Sequence, residues 1–139
     1  MGIGVVWGSG EVLEGTPFRV VVPGSATTGH AVVLTVDMPP GLHVDAHTHV
    51  SEEQINIVLS GQVRFRVGDE ETVLGAGGVL LMPRHIEHEL WNDTEEFAQL
   101  IEIYTPPGME RNFAAAGAAA IAGGKSFADA DDYVANRSS

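Results

Sequence analysis

Four of the chain's six histidines fall into two close pairs, His47-Thr48-His49 and His85-Ile86-Glu87-His88. Imidazole is a common ligand of divalent metals, and the first pair has a spacing that suits the task. On a strand, residues i and i+2 point the same way and lie roughly 6.6 Å apart, so two rings can converge on one ion about 2.1 Å from each nitrogen. Adjacent residues could not. Such a pair can equally be two solvated side chains on a polar strand face, so it does not establish a metal site alone. A second chemical candidate is Glu102, set in the otherwise apolar run Leu100-Ile101-Glu102-Ile103-Tyr104. A carboxylate there needs a partner or a function. Facing inward it is a general acid or base, with Tyr104 sharing its parity; facing outward it is an ordinary polar residue.

These residues need strands to position them. Seventeen glycines and seven prolines punctuate short apolar runs, which predicts an all-β fold rather than a few long helices. The expected strands are 18–22, 31–38, 43–49, 54–59, 62–67, 71–74, 79–82, 88–91 and 97–104. The alternation Val63-Arg64-Phe65-Arg66-Val67 puts the apolar residues on one face and both arginines on the other. Val79-Leu80-Leu81-Met82 has no polar break, which predicts a central strand covered on both faces. His43 and Asp45 share the odd parity of His47 and His49 and are expected on the same face, as pocket wall or as polar rim. Beyond Pro106-Pro107 the composition shifts to an alanine-rich stretch over 113–122. Alanine is the best helix former, but few large side chains are available to dock the helix, so an appendage is expected. The Ser126 to Asp129 spacing resembles a capped start, predicting a second short helix over 129–136.

Composition narrows the function classes. With 139 residues, 44% of them hydrophobic and 19% charged, the chain can bury one core. A net charge of -12 repels nucleic acid phosphates and anionic membranes, so neither is an expected partner. The absence of cysteine excludes disulfides and thiolate chemistry. Residues 1–15 carry no basic residue and no sustained apolar run, so no secretory signal is expected, and no stretch approaches the roughly 20 apolar residues of a membrane helix; a cytoplasmic protein is the expectation. Gly75-Ala76-Gly77-Gly78 is a hairpin turn rather than a phosphate loop, and no helix-turn-helix signature appears.

The spacing around the histidines completes a pattern. Gly41, five residues, His47-x-His49, four residues, Gln54, six residues, Gly61 resembles the first signature of the cupin family, with Gln54 where that family usually has a glutamate. Gly77, five residues, Pro83, two residues, Ile86-Glu87, His88, three residues, Asn92 resembles the second, with His85 in the place of a glycine. The resemblance covers about residues 40–107. It implies a double-stranded β-helix, or jelly-roll barrel, over 1–112 with N-terminal strands, and a helical C-terminal extension over 113–139. It further implies one divalent metal ion (Fe, Ni, Mn, Cu or Zn) held by His47, His49, Gln54 and His88.

The departure at position 54 leaves three imidazoles and an amide, a neutral shell that keeps the full charge of the ion on the site and favours anionic ligands. Glu53 is a true carboxylate one residue earlier, but alternation sends it to the opposite face if Gln54 points inward. Gln54 could instead hydrogen-bond a ligand histidine, leaving three protein ligands. His85 is expected at the rim, as a turn residue or a substrate contact. Some cupins that linearise unsaturated uronates share the pairing of three histidines with a glutamine and carry an acid at a point comparable to Glu102, before a Pro-Pro pair. Residues 106–113 resemble the exit sequence of quercetinase-like single-domain cupins. Arg64 and Arg66 could anchor an anion, although alternating charges on a strand face are usually solvated. Trp91, Phe65, Met82 and Leu90 are expected in the core or the pocket wall.

The resemblance thus implies an enzyme acting on a small oxygenated substrate, enolisable or catecholic and possibly anionic, with a dioxygenase the first expectation. The alternatives are a non-redox isomerase, lyase or polyketide-type cyclase using Glu102 with Tyr104, and a non-catalytic binding protein. Single-domain members of the family commonly pair through edge strands, so a homodimer is expected.

Overall fold

The glycine- and proline-punctuated runs fold as ten strands and one long helix over residues 10–124, which the computed structural model describes. The strands are β1 (Glu11–Val12), β2 (Phe18–Val22), β3 (Val32–Met38), β4 (His43–His47), β5 (Glu53–Ser60), β6 (Gln62–Val67), β7 (Glu70–Gly75), β8 (Val79–Met82), β9 (His88–Trp91) and β10 (Ala98–Thr105); α1 is Met109–Ala122. They form a six-stranded sheet, β1-β2-β3-β10-β5-β8, and a four-stranded sheet, β4-β9-β6-β7. All pairings are antiparallel. The alternation in β6 buries Val63 and Phe65, which join Leu34, Val36, Met38, Val58 and Leu100 of the other sheet in one core. This is the expected all-β jelly roll with a C-terminal helix. No helix among the described residues is long and apolar enough to cross a membrane. The expectations for residues 1–9 and for a second helix over 129–136 lie outside the described residues.

Three expectations need correction. The apolar run of β8 does not make a central strand: β8 is the edge of the six-stranded sheet, with Val79 60% and Leu81 53% exposed. Periodicity reports apolarity, and here it is one face that is covered and one that lies open. The outer face of this sheet is apolar well beyond β8, since the register aligns Val33, Ile103, Ile55 and Leu81 across four strands.

The helix is no appendage. It starts at Met109 rather than 113, and Met109, Phe113, Ala116, Gly117 and Ala120 are buried. The Phe113 ring stacks on Phe18 with centroids 4.0 Å apart. Small residues dock the helix alongside the large Met109 and Phe113. A Cβ on Gly117 would fall 2.3 Å from the Glu14 carbonyl oxygen, and one on Gly15 would fall 2.5 Å from that of Gly117. The helix therefore lies against the N-terminal arm at a distance only glycine allows.

Third, His43 and Asp45 do not share a face with His47. The β4–β9 register runs Val44↔Leu90 and then His47↔His88, so β4 carries one extra residue, a bulge that reverses the parity of everything before it. Val44 and His47 point inward, Asp45 is exposed and His43 lies on the outer face.

Candidate metal centre

The bulge places His47 directly opposite His88 on neighbouring strands, with ring centroids 4.2 Å apart. His49 lies just past the end of β4, and its carbonyl accepts the backbone N–H of His85 at 2.7 Å, which ties the loop to the turn before β9. His85 adopts a φ of 68° there, a conformation glycine takes at no steric cost. His85 itself is an exposed turn residue. The His49 ring comes within 4.9 Å of His47 and 5.0 Å of His88, centroid to centroid. One nitrogen from each of the three imidazoles lies within 4.8 Å of the others, and all three residues are buried. His47 donates its Nδ1–H to the Asp45 carbonyl at 2.7 Å, which fixes the tautomer and puts the lone pair on Nε2.

Gln54 and Glu53 divide as strand alternation requires. Glu53 turns outward to Arg84, whose backbone N–H and guanidinium lie 2.9 and 2.8 Å away and hold its carboxyl below the usual range. Gln54 is 1% exposed and donates its amide N–H to Asn56 Oδ1 at 3.3 Å. Its Oε1 finds no hydrogen-bond donor among the described residues. A buried carbonyl in that condition is uncommon, and beside three convergent imidazoles it is the kind of atom a cation satisfies. The donor set fits a divalent ion.

Glu102 and Tyr104 complete the polar end. On β10 they face Asn56 and Gln54 of β5 in register, both inward. Glu102 is 4% exposed, and burial raises its carboxyl to about 7 even though the Tyr104 hydroxyl, donating to Oε1 at 2.7 Å, pulls the other way. The Tyr104 ring meets His49 edge-on at 5.7 Å. His47, Gln54, Glu102 and Tyr104 line one cavity, whose remaining walls include Phe18, Val36, Leu90 and Phe113. The outward alternative for Glu102 does not hold.

The other candidates lie on the outer face of the four-stranded sheet. Arg64 is paired with Asp93 and Glu71 and sits 3.8 Å over the Trp91 ring. Arg66 holds Glu87 and Glu89, each at 2.9 Å. His43 binds Glu89 at 2.6 Å and stacks on Trp91. Trp91 is thus an outer platform, not core or pocket wall, while Phe65, Met82 and Leu90 are buried as expected. Sequence reasoning missed Asn56 and Glu52. Asn56 is fully buried between Gln54 and Met82 Sδ; its signal was the shared parity with Gln54 in a strand otherwise rich in isoleucine and valine. Glu52 lies 3.9 Å from His49 Nδ1, where a carboxylate can orient a ligand imidazole. It precedes β5, so alternation gave no sign of it.

The family model described as the Cupin domain matches residues 34–104. Among solved structures, the chain is similar to KdgF from Halomonas sp., at 20% identity and a TM-score of 0.61, over 68% of this chain and 81% of that one. It is similar to a predicted oxalate decarboxylase from Thermotoga maritima, at 20% identity and a TM-score of 0.61, over 65% and 79%. A conserved protein with a double-stranded β-helix domain from Klebsiella pneumoniae matches at 23% identity and a TM-score of 0.58, over 70% and 84%. At these identities the likeness shows the fold alone.

Proposed function

The chain belongs to the cupin family, and from that premise we propose that it is a metal-dependent enzyme that moves a proton on a small, enolisable, oxygenated substrate. Glu102 is the acid–base group and Tyr104 its partner. One observation carries this: a carboxyl and a phenol, hydrogen-bonded at 2.7 Å, are buried in the same cavity as His47 and Gln54. A divalent ion held by His47, His49, His88 and the Gln54 carbonyl would supply Lewis acidity at a substrate oxygen. In the metal-free protein burial raises the Glu102 carboxyl to about 7; a divalent ion in the same cavity would draw it down toward the ionised form, in which Glu102 can accept a proton from the substrate and return it. Tyr104 fixes which Glu102 oxygen is occupied and leaves the other for the substrate. Such a site suits an isomerase, lyase or cyclase.

The test is turnover of metal-loaded protein on β-diketones and catechols. Glu102→Gln should lower it by about 10² to 10⁴-fold with metal content unchanged; undiminished turnover would remove Glu102 from the chemistry. A dioxygenase is the second reading, favoured by the donor set, because three imidazoles and an amide leave the site's charge for an anionic substrate oxygen. Dioxygen separates the two: product formed under strict anaerobiosis supports proton transfer, and oxygen consumption matched to product supports the dioxygenase.

For assembly we propose a homodimer built on β8. Its outward backbone edge and its exposed Val79 and Leu81 are satisfied together when the same strand of a second copy pairs with it about a two-fold axis. Leu81→Lys should give a monomer in light scattering; an unchanged mass would place the contact elsewhere.

A further inference from the structure

A carboxylate ligand presents an oxygen whichever way its end group turns, but a primary amide does not. One end of it accepts, and the other is an NH₂ group with no lone pair to give a metal. A glutamine at the centre therefore needs something to decide which end meets the ion. We propose that Asn56 is that positioning residue: it takes the Gln54 amino group so that the carbonyl is the end offered to the metal, and the Met82 thioether fixes the direction of the hold. Because the hold matters only where the Gln54 carbonyl is a ligand, it rests on the metal-dependent function above.

Alternation in β5 supplies the parts. Gln54 and Asn56 stand two residues apart and both face inward, and Met82 is the register partner of Gln54 on β8. All three are buried, and the hydrogen bonds run one way along them. Asn56 donates its Nδ2–H to Met82 Sδ at 3.1 Å, and Gln54 donates its Nε2–H to Asn56 Oδ1 at 3.3 Å. Only the sulfur has no choice of role, since a thioether accepts and never donates. It takes the Asn56 amino group, which turns Oδ1 toward Gln54. Oδ1 takes the Gln54 amino group in turn, which leaves Oε1 at the far end, without a donor among the described residues. Reversing Asn56 would set oxygen against sulfur, and reversing Gln54 alone would set oxygen against oxygen, a cost that burial makes large. Tyr104, across from Gln54 on β10, gives its hydroxyl to Glu102 instead. No group in the chain from Met82 to Gln54 is charged, so the amide is aimed without altering the neutrality of the shell.

Zinc titration of the chelator-stripped full chain tests the hold, with Gln54→Glu as the background that separates aiming from packing, because a carboxylate needs no guide. Asn56→Leu should weaken zinc by about 10-fold in the otherwise unaltered protein and by about 2-fold or less beside Gln54→Glu. Met82→Leu keeps Asn56 and nearly the same volume, and should show the same contrast with a smaller loss; it decides the matter if circular dichroism shows Asn56→Leu unfolded. Equal losses in both backgrounds would mean that Asn56 and Met82 act by packing alone and would overturn the proposal, as would unchanged affinity in both. The metal-free protein gives a second readout: the Gln54 side-chain amide hydrogens should exchange with solvent severalfold faster in Asn56→Leu or Met82→Leu, and equal rates would overturn the hold. The two levels stay apart. Failure of the unaltered protein to take up zinc removes the metal-dependent function while amide exchange still judges the hold, whereas zinc uptake indifferent to Asn56 and Met82 removes the hold alone.

Discussion

Strands β4 and β9, with the loop that follows β4, carry two groups of three potential metal ligands, one on each side of the same sheet. His47, His49 and His88 converge inside; His43, Asp45 and Glu89 converge outside, with donor atoms equally within 4.8 Å of one another. The difference lies in what else claims the donors. Outside, His43 is taken by Glu89, and Glu89 by Arg66, so the donors are already engaged. Burial alone would raise the Glu89 carboxyl, but hydrogen bonds from His43 and Arg66 bring it below its usual range. Inside, the histidines are joined by an orphaned amide oxygen and no arginine. Proximity of ligand-type residues is thus common to both groups, and only the inner one has beside it a buried amide oxygen that no donor among the described residues satisfies.

Metal titration should break the symmetry most sharply. His88→Ala is expected to abolish measurable zinc binding, whereas His43→Ala should leave it unchanged; equal losses would show that the outer group binds too. The next effect is electrostatic and belongs to the metal-free protein. Glu102 has a folded-state pKa of about 7 against an ordinary 4.5. Between those values the unfolded chain has lost a proton that the folded one keeps, so stability falls as pH rises from 4.5 to about 7 and then levels off. The penalty is on the order of 3 kcal/mol above pH 7. Glu102→Gln should therefore raise the melting temperature at pH 8 and change it little at pH 5; the same shift at both would mean the carboxyl is not held neutral. Smaller again, Gln54→Ala should weaken zinc by about 10 to 100-fold, a loss of the size seen when a site loses a supporting group, while Glu53→Ala leaves it intact. The reverse result would invert the assignment of faces. Least of all, Arg66→Ala on the outer sheet should cost about 1 kcal/mol or less in urea denaturation, because its partners remain partly solvated.

The sequence made the barrel legible through its turns and the alternation in β6, and it brought His47, His49 and His88 to attention through spacing. What it could not convey was which face is which. In β5 and β10 the isoleucines at 55, 57, 101 and 103 point outward and Gln54, Asn56, Glu102 and Tyr104 point inward, the opposite of a polar-out pattern. Alternation gives the period of a strand but not its sign. The bulge in β4 added a second reversal that no periodicity could register, and it turned the His43 ring toward Glu89 and Trp91 and left Asp45 exposed. The helix was misjudged because docking was expected to need many large side chains, whereas Met109 and Phe113 suffice where Gly15 and Gly117 let the backbones approach.

The two rings of the aromatic wall come from opposite ends of the described chain, residues 18 and 113. During synthesis on the ribosome every histidine of the metal centre leaves the exit tunnel before Phe113 does. The hollow that houses the chemistry accordingly stays open on one flank until α1 arrives.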